Sequence, residues 1–391
     1  MPIGFLVVRK ASFANFYNPF IEFFNGLEFG FFLLISNIIL FMRFVSIFLL
    51  FFTSSVLADA SLYERGKAYY YGQGVEQDYE KSFNAFKHSA KIGSIEAKTA
   101  LAMMYIEGKG VAQDDEKGLE LLNYSVDRNH DKAQYYLGIL YYRGIGIEED
   151  LAKAFELFKR SANQGYADAQ YNLSLMYQQG DVIKKNTLLA HKWLLDSAES
   201  GNSDGQYHLA VAYQDSGHYK DAFTWYLKAA KQDHADAQYK LGWLYEYGKG
   251  ITKDYASAVN WYIKAHQLGH MGVSYRLGLL YEVGLGVKPN YETAYHYYQM
   301  SIEEGNLDAY NKLGYLYEHG KGISKSAQKS YEHYIHAARE GHQASQLKVA
   351  LMYEKGIGTK RSIKNAKFWL KKLSKQGNKM AGFKLKRLQK R

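Results

Sequence analysis

The sequence predicts an all-α fold, an α/α superhelical solenoid of about nine 36-residue helix-turn-helix repeats. The first observation is a tyrosine on a fixed stride. From Tyr69 it recurs every 36 residues at Tyr105, Tyr141, Tyr177 and Tyr213, then after 32 at Tyr245, then after 36 again at Tyr281, Tyr317 and Tyr353. The second is a pair of small-residue columns in the same register. Three residues before each tyrosine stand Gly66, Ala102, Gly138, Ser174, Ala210, Gly242, Gly278, Gly314 and Ala350. Further along each unit stand Ser82, Gly118, Ala154, Ala190, Ala222, Ala258, Ala294, Ser330 and Ala366. The third is composition: 36 tyrosines and 35 glycines against three prolines in 391 residues. One aromatic position used repeatedly and many tight interhelical turns produce that balance. Periods of roughly 20–50 residues mark stacked arrays, because one unit cannot bury its own apolar face and its neighbours must.

Residues 1–60 stand apart from the repeats. Gly30 to Leu57 is almost wholly apolar, interrupted by Ser36, Asn37, Arg43 and a few hydroxyls. Two readings compete. About 20 apolar residues suffice for a membrane-spanning anchor. Alternatively the start is Met42: Met42-Arg43 is a positive n-region, Phe44 to Leu57 an h-region, and Val56-Leu57-Ala58 or Ala58-Asp59-Ala60 a small-residue cleavage site. All three signal-peptide parts stand in order, which favours the second reading and makes residues 1–41 an over-extended start. Both readings export the repeats, to the periplasm or beyond it, or leave them anchored in the inner membrane.

Within each unit the first helix, A, is clearest at Ala133 to Tyr142, where Leu137, Leu140 and Tyr141 fall at i, i+3 and i+4. A glycine inside a helix costs about 1 kcal/mol against alanine, so Gly138 needs a packing reason, and close approach of a partner helix supplies one. Glycine pairs follow: Gly72 and Gly74, Gly108 and Gly110, Gly144 and Gly146, Gly248 and Gly250, Gly284 and Gly286, Gly320 and Gly322, Gly356 and Gly358. The first of each pair suits a left-handed helix C-cap. Four residues after the second come Asp78, Asp114, Asp150, Asp254, Asn290, Ser326 and Ser362, with Asn186 in the same column, as N-caps of helix B. Helix B carries Trp193, Trp225, Trp261 and Trp369 in one column and Phe86, Phe158, Tyr226, Tyr262, Tyr298 and Tyr334 in the next. It closes on Gly93, Gly165, Gly201, Gly269, Gly305, Gly341 or Gly377.

The run Ala-x-Ala-Gln-Tyr-x-Leu-Gly-x-x-Tyr, then Gly-x-Gly-(Val/Ile)-x-x-Asp, then Ala-x-x-Trp-x-x-x-Ala-x-x-Gly resembles the Sel1-like repeat, a relative of the tetratricopeptide repeat. The resemblance covers residues 61–379 as nine units, with 380–391 a basic capping helix and tail. It implies A helices lining a concave face and an adaptor that gathers protein partners, with exported bacterial members linked to the cell envelope or host interaction. The secreted cysteine-rich branch is excluded, because the chain has no cysteine. The absence of cysteine also removes disulfides, thiolate metal sites and a cysteine nucleophile. Two units depart from the pattern. The fourth has Val182 where the second glycine belongs, and the fifth is four residues short, with Gln214 to Lys220 in place of the glycine loop. Loop drift explains both; a change of superhelix curvature is the alternative.

No catalytic constellation stands out. The Gly-Lys-Gly loops recur at the repeat period and lack a G-x-x-x-x-G-K-[ST] context, so they are not phosphate cradles. His333 and His336, or His266 and His270, share helix faces, but no H-E-x-x-H accompanies them. The expectation is no enzyme activity, no metal and no cofactor. Two surfaces remain. On the A helices, Tyr135, Tyr171, Tyr207, Tyr239 and Tyr275 form a column, extended by Trp243, Tyr247, Glu246 and Glu282, that reads as a groove for protein partners or as packing between A helices. Trp243 is the only tryptophan off the B helices. At the C-terminus, Thr359 to Arg391 holds thirteen Lys and Arg and no acid, while the rest carries 36 basic against 39 acidic groups. Lys371, Lys375, Lys379, Lys384, Lys386 and Arg387 therefore read either as a solvated cap or as a contact for an anionic partner, such as lipid headgroups, envelope polymer or an acidic protein. Nucleic acid is not expected, because export removes the chain from it.

The resulting expectation is an exported repeat scaffold for protein partners, with a glycan- or peptidoglycan-associated envelope protein as the rival. The mature chain should begin at Asp59 or Ser61. N-terminal sequencing of protein from the native cell checks this, and residues 1–41 found intact would overturn the leader assignment.

Overall fold

The computed structural model describes residues 61–389, so the leader assignment and Lys390 and Arg391 lie outside the described residues. Every regular element among the described residues is a helix. The A helices are α1 (61–71), α3 (Ile95–Glu107), α5 (Asp131–Arg143), α7 (Ala167–Gln179), α9 (Ser203–Asp215), α11 (Ala235–Tyr247), α13 (Val273–Val283), α15 (Leu307–His319) and α17 (Gln343–Lys355). The B helices are α2 (Tyr79–Lys91), α4 (Asp115–Asp127), α6 (Leu151–Asn163), α8 (Thr187–Glu199), α10 (Tyr219–Ala230), α12 (Tyr255–Gln267), α14 (Tyr291–Glu303), α16 (Ala327–Arg339) and α18 (Ile363–Lys375). A final A-type helix, α19 (Lys379–Gln389), follows. The all-α repeat fold predicted from the sequence is the fold observed, with successive helices packed on one another within each compact unit. The chain divides into two compact units, the smaller ending with Leu137 and including Gly144–Glu148, the larger made of Gly138–Arg143 and Glu149 onward.

The start of every B helix except α10 is fixed by two bonds. The Asp78 N–H donates to the Tyr69 carbonyl at 2.9 Å, and the Asp78 carboxylate accepts from the Lys81 N–H at 2.9 Å. The same carbonyl bond recurs from Tyr105 to Tyr353, at 3.0 Å or less, in the other seven units with a capping residue. The periodic tyrosine thus anchors the loop through its backbone. The capping side chains predicted from sequence all act as caps, satisfying N–H groups that a helix start leaves open. Between helices the loop needs glycine twice, for different reasons. Gly108 is the left-handed C-cap of α3, at φ 65°. Gly110 lies so close to the first turn of the preceding B helix that a Cβ would collide with the Tyr79 carbonyl.

The two helices of a hairpin cross where both are small. A Cβ at Gly66 would stand 2.5 Å from the Phe86 ring, at Gly138 2.7 Å from Phe158, at Gly242 2.5 Å from Tyr262, at Gly278 2.6 Å from Tyr298 and at Gly314 2.7 Å from Tyr334. The ring of helix B lies directly on the bare backbone of helix A. Where the sequence places Leu122, Leu194 or Leu370 in the ring column, the partner is Ala102, Ser174 or Ala350 instead of glycine. Volume is therefore traded between the two columns, as a close-packed interior requires. Ala210 opposite Tyr226, in the shortened unit, is the exception. The small residue of helix B returns the contact: the Ser82 hydroxyl donates to the Gly66 carbonyl at 2.9 Å, and Ser330 to Gly314 at 2.8 Å.

The buried glutamines of the A helices close each B-to-A turn. The side-chain amides of Gln170, Gln206, Gln238 and Gln346 donate to the carbonyls of Ala162, Ala198, Ala230 and Ala338 at 3.1–3.3 Å. In two turns the usual left-handed glycine is replaced by Asn129 and Asp233, at φ 58° and 59°, residue types that tolerate this region best. The departures in units four and five have a local consequence. Elsewhere the second loop glycine covers the first turn of the preceding B helix. Val182 cannot approach as closely, and a small crevice opens among Tyr142, Leu151, Met176 and Val182. The fifth unit has no such loop, and Leu188 at the start of α8 is left 84% exposed.

Replacing Gly138 by Leu should cost about 1–3 kcal/mol through overpacking against Phe158. The pair Gly138→Ala with Phe158→Leu reproduces the pairing of the second unit. It should be less destabilising than the sum of the two single changes by about 0.5–3 kcal/mol. Urea melts of the four proteins check this, and strict additivity would refute the volume pairing.

Candidate protein-binding surface

The A helices present their tyrosine column half-buried, with most rings held on one side by the B helix of the same unit. Tyr207 packs on Tyr226 at 5.8 Å between ring centres, Tyr239 on Tyr262 at 5.5 Å and Tyr275 on Tyr298 at 5.9 Å. The other side is stacked by imidazoles. Tyr171 lies on His208 at 5.7 Å, Tyr207 on His234 at 4.7 Å and Tyr239 on His270 at 4.3 Å. Burial pushes the Tyr171 and Tyr275 phenols up to about 12. Tyr135, in the smaller unit, is also half-buried and tilts against Tyr136 at 5.4 Å. The two sequence readings of this column, groove and packing, therefore both describe part of each ring. Trp243 is half-buried with its ring tilted on Tyr247 at 5.2 Å, and Tyr247 is 43% exposed.

Glu246 and Glu282 are engaged within the chain. The Tyr262 hydroxyl donates to Glu246 at 2.6 Å, and the Arg276 guanidinium stands 3.5 Å from the same carboxylate. Tyr298 donates to Glu282, and the Lys312 ammonium pairs with it at 2.9 Å. The pattern continues: Tyr334 and Lys348 meet on Glu318 at 2.9 and 2.8 Å, and Arg387 reaches Glu354 at 3.2 Å. Burial, followed by the bond to the carboxylate, raises the Tyr262 and Tyr298 phenols well above their usual value. Glu246, Glu282 and Glu318 thus each join the B helix of their own unit to the A helix of the next. The periodicity that pointed to a groove did not distinguish this ladder. Its signal was present as a Glu column sixteen residues before the ring tyrosine and thirty before a Lys or Arg.

A second connection escaped the sequence reading. His234 Nδ1 accepts the Ala237 N–H at 3.3 Å and so caps α11, while its Nε2 faces Asp204 of the preceding unit at 3.2 Å. His342 does the same with Ser345 at 3.2 Å and Asp308 at 2.9 Å. Asn202 plays the same part, capping α9 through Gly205 at 2.6 Å and donating to Asp168 at 2.6 Å. This bonding requires a neutral imidazole with its proton on Nε2. His130 likewise caps α5, accepting from Ala133 at 3.2 Å. His333 stacks on Tyr317 at 5.4 Å and His336 on Tyr310 at 4.0 Å. Among the described residues no group of three His, Asp or Glu is placed to hold a metal ion, and no helix is long and apolar enough to cross a membrane.

At the C-terminus Lys371, Lys375, Lys379, Lys386 and Arg387 are exposed and Lys384 is half-buried. Of these six, Arg387 alone forms an ion pair among the described residues.

Burial holds His130, His208, His270 and His333 below the usual histidine value. The unfolded chain then binds protons more readily near pH 6.5, so stability is greatest above that pH and falls as it drops toward the depressed folded values. The melting temperature should accordingly decline from pH 7 to pH 5. Replacing His130 by Asn, a cap that does not titrate, should flatten part of that slope. Thermal melts across the range check both statements.

Nine matches to the Sel1 repeat family cover residues 59–88, 95–130, 131–166, 167–202, 203–234, 235–270, 274–306, 307–342 and 343–378. Among solved structures, the chain is similar to a protective antigen of uropathogenic Escherichia coli with an SLR fold. The identity is 27%, covering 85% of this chain and 80% of that one, with a TM-score of 0.54. It is also similar to a Sel1 repeat protein from Oxalobacter formigenes, at 26% identity over 78% of this chain and 90% of that one, with a TM-score of 0.49. No curated protein matches it. The chain belongs to the Sel1 repeat family, whose members generally mediate protein–protein interactions and are generally not enzymes.

Proposed function

We propose that this Sel1 repeat chain is an exported scaffold that gathers protein partners on the A-helix face of its larger unit, in the cell envelope or at a host surface. One observation carries the reading. Tyr171, Tyr207, Tyr239, Trp243, Tyr247 and Tyr275 expose part of their rings in one register, while the charges beside them, Glu246, Glu282, Arg276 and Lys312, are already matched to one another. A surface of rigid amphipathic rings with neutralised charge is the composition of a protein-binding hot spot. The description of the similar Escherichia coli protein as a protective antigen supports export, as does the n-region, h-region and cleavage pattern of residues 42–60. The basic end, Lys371 to Arg387, is a second contact surface, for an anionic partner.

The glycan-binding reading is weaker on this geometry. Sugar stacking needs an open ring face. Tyr207 and Tyr239 instead have one face against a histidine and the other toward a B-helix tyrosine.

Crosslinking with mass spectrometry in the native cell identifies the partner, and Trp243→Ala then tests the surface. Affinity for that partner should fall by about 2 kcal/mol or more, roughly thirtyfold, with the melting temperature nearly unchanged. A loss of about 3–5 kcal/mol in stability, with the folded fraction still binding normally, would place Trp243 in the core and remove it from the surface.

A further inference from the structure

We propose that the C-terminal end of the array, the outer faces of α18 and α19, docks on an anionic lipid bilayer. The proposal rests on the reading of the basic end as a contact surface, and commits it to one partner. Two properties coincide there. The first is charge: eleven Lys and Arg lie between Lys360 and Arg387 with no acid among them. Lys371, Lys375 and Lys379 are exposed and pair with no acid among the described residues. The second is apolar exposure: Phe368 is 59% exposed, Met380 58% and Phe383 73%.

The repeat register accounts for the exposure of this chemistry on α19, the last described helix. Phe383 occupies the place held by Tyr275 in α13 and Tyr239 in α11, where a following B helix normally supplies the ring beneath it. Among the described residues no B-helix ring lies beneath Phe383, which is 73% exposed. Lys386 occupies the place of the crossing glycine, where a side chain as long as lysine would collide with a B-helix ring. α19 thus carries an uncovered phenylalanine among the described residues, where a solvated helix face calls for polar residues. Met380 and Phe383 are spaced i, i+3 on α19, with Lys379 and Lys384 beside them. On α18, Phe368 shares a helix face with Lys364, Lys371, Lys372 and Lys375 at i−4, i+3, i+4 and i+7.

A second copy of the chain does not fit, since end-to-end pairing would bring two acid-free basic faces together. An acidic protein or polymer would match the lysines but leave the three apolar side chains unexplained. A bilayer surface accepts both at once. Lysines reach the headgroup phosphates while phenylalanine and methionine enter the acyl boundary, the composition of interfacial helices.

The chain has no cysteine, so Met380→Cys in the full chain gives a single site for an environment-sensitive NBD label. The label reports on α19 alone, whatever the N-terminal apolar segment does. Vesicles mixing phosphatidylglycerol into phosphatidylcholine should brighten and blue-shift the label. Nitroxides placed in the acyl chains should quench it, and pure phosphatidylcholine should do neither. Each lysine near an anionic surface contributes roughly fivefold in affinity, so Lys371→Glu with Lys375→Glu and Lys379→Glu should weaken binding at least about tenfold. Phe383→Ser, which keeps the charge, should reduce the blue shift and weaken binding. Circular dichroism and melting should be unchanged in both variants, because these side chains are exposed. No shift on anionic vesicles, or an equal shift on neutral ones, overturns the proposal. So does tight binding of polyglutamate with no response to vesicles, which would assign the end to an acidic protein. If vesicles fail while Trp243→Ala still releases the crosslinked partner, the lipid assignment falls and the scaffold reading stands.

Discussion

An aromatic ring laid on a bare stretch of helix backbone is the contact from which the rest of this structure follows. In five units the B-helix ring sits where a Cβ on the A helix would be 2.5–2.7 Å away. That distance sets the separation of the two helices and the identity of both columns. A leucine in the ring column leaves room for alanine or serine opposite, and those are the residues found at 102, 174 and 350. The glycine is kept despite its cost in helix propensity, because the ring it admits buries far more apolar surface than a methyl would.

The same contact places the polar groups. A tyrosine ring lying across glycine, or across Ala210 in the fifth unit, carries its hydroxyl one turn along helix A, where Glu246, Glu282, Glu318 or Gln214 receives it. The carboxylate has a second side open toward the following A helix, and Arg276, Lys312 or Lys348 fills it. Packing within a hairpin is thus converted into a link between hairpins. In a linear array each unit is stabilised by its neighbours alone, so such links set how cooperatively the stack holds. The capping residues His234, His342 and Asn202 add a second link of the same kind at the opposite end of the A helix.

These structural roles shape what is left for function. Charges along the A-helix face are largely used up in holding the repeats together, and Tyr207 and Tyr239 are gripped on both sides. What remains exposed is ring edge and part-ring surface, rigid and nearly neutral. The C-terminal end is the reverse, with a dense charge of one sign and three largely exposed apolar side chains. The two surfaces therefore suit different partners.

The sequence by itself determined the repeat period, the helix pairs, the caps from Asp78 to Ser362 and the two irregular units. Each of these is a local rule repeated nine times, and repetition makes a weak local signal legible. It also located the A-helix columns and the basic end. Tertiary structure decided what those columns do. Glu246 and Glu282 look like groove residues by spacing, yet their partners lie sixteen and thirty residues away on other helices. The tyrosine column is half packing and half surface, a division that depends on which ring or imidazole lies against each face. His234 and His342 share no spacing with an acid that marks them in the sequence, and only the fold brings Asp204 and Asp308 to their second nitrogen. Periodicity fixes which residues share a helix face. What covers that face is set by neighbouring helices whose distance and rotation come from side-chain volumes at the crossing, and those are settled only when the hairpins pack.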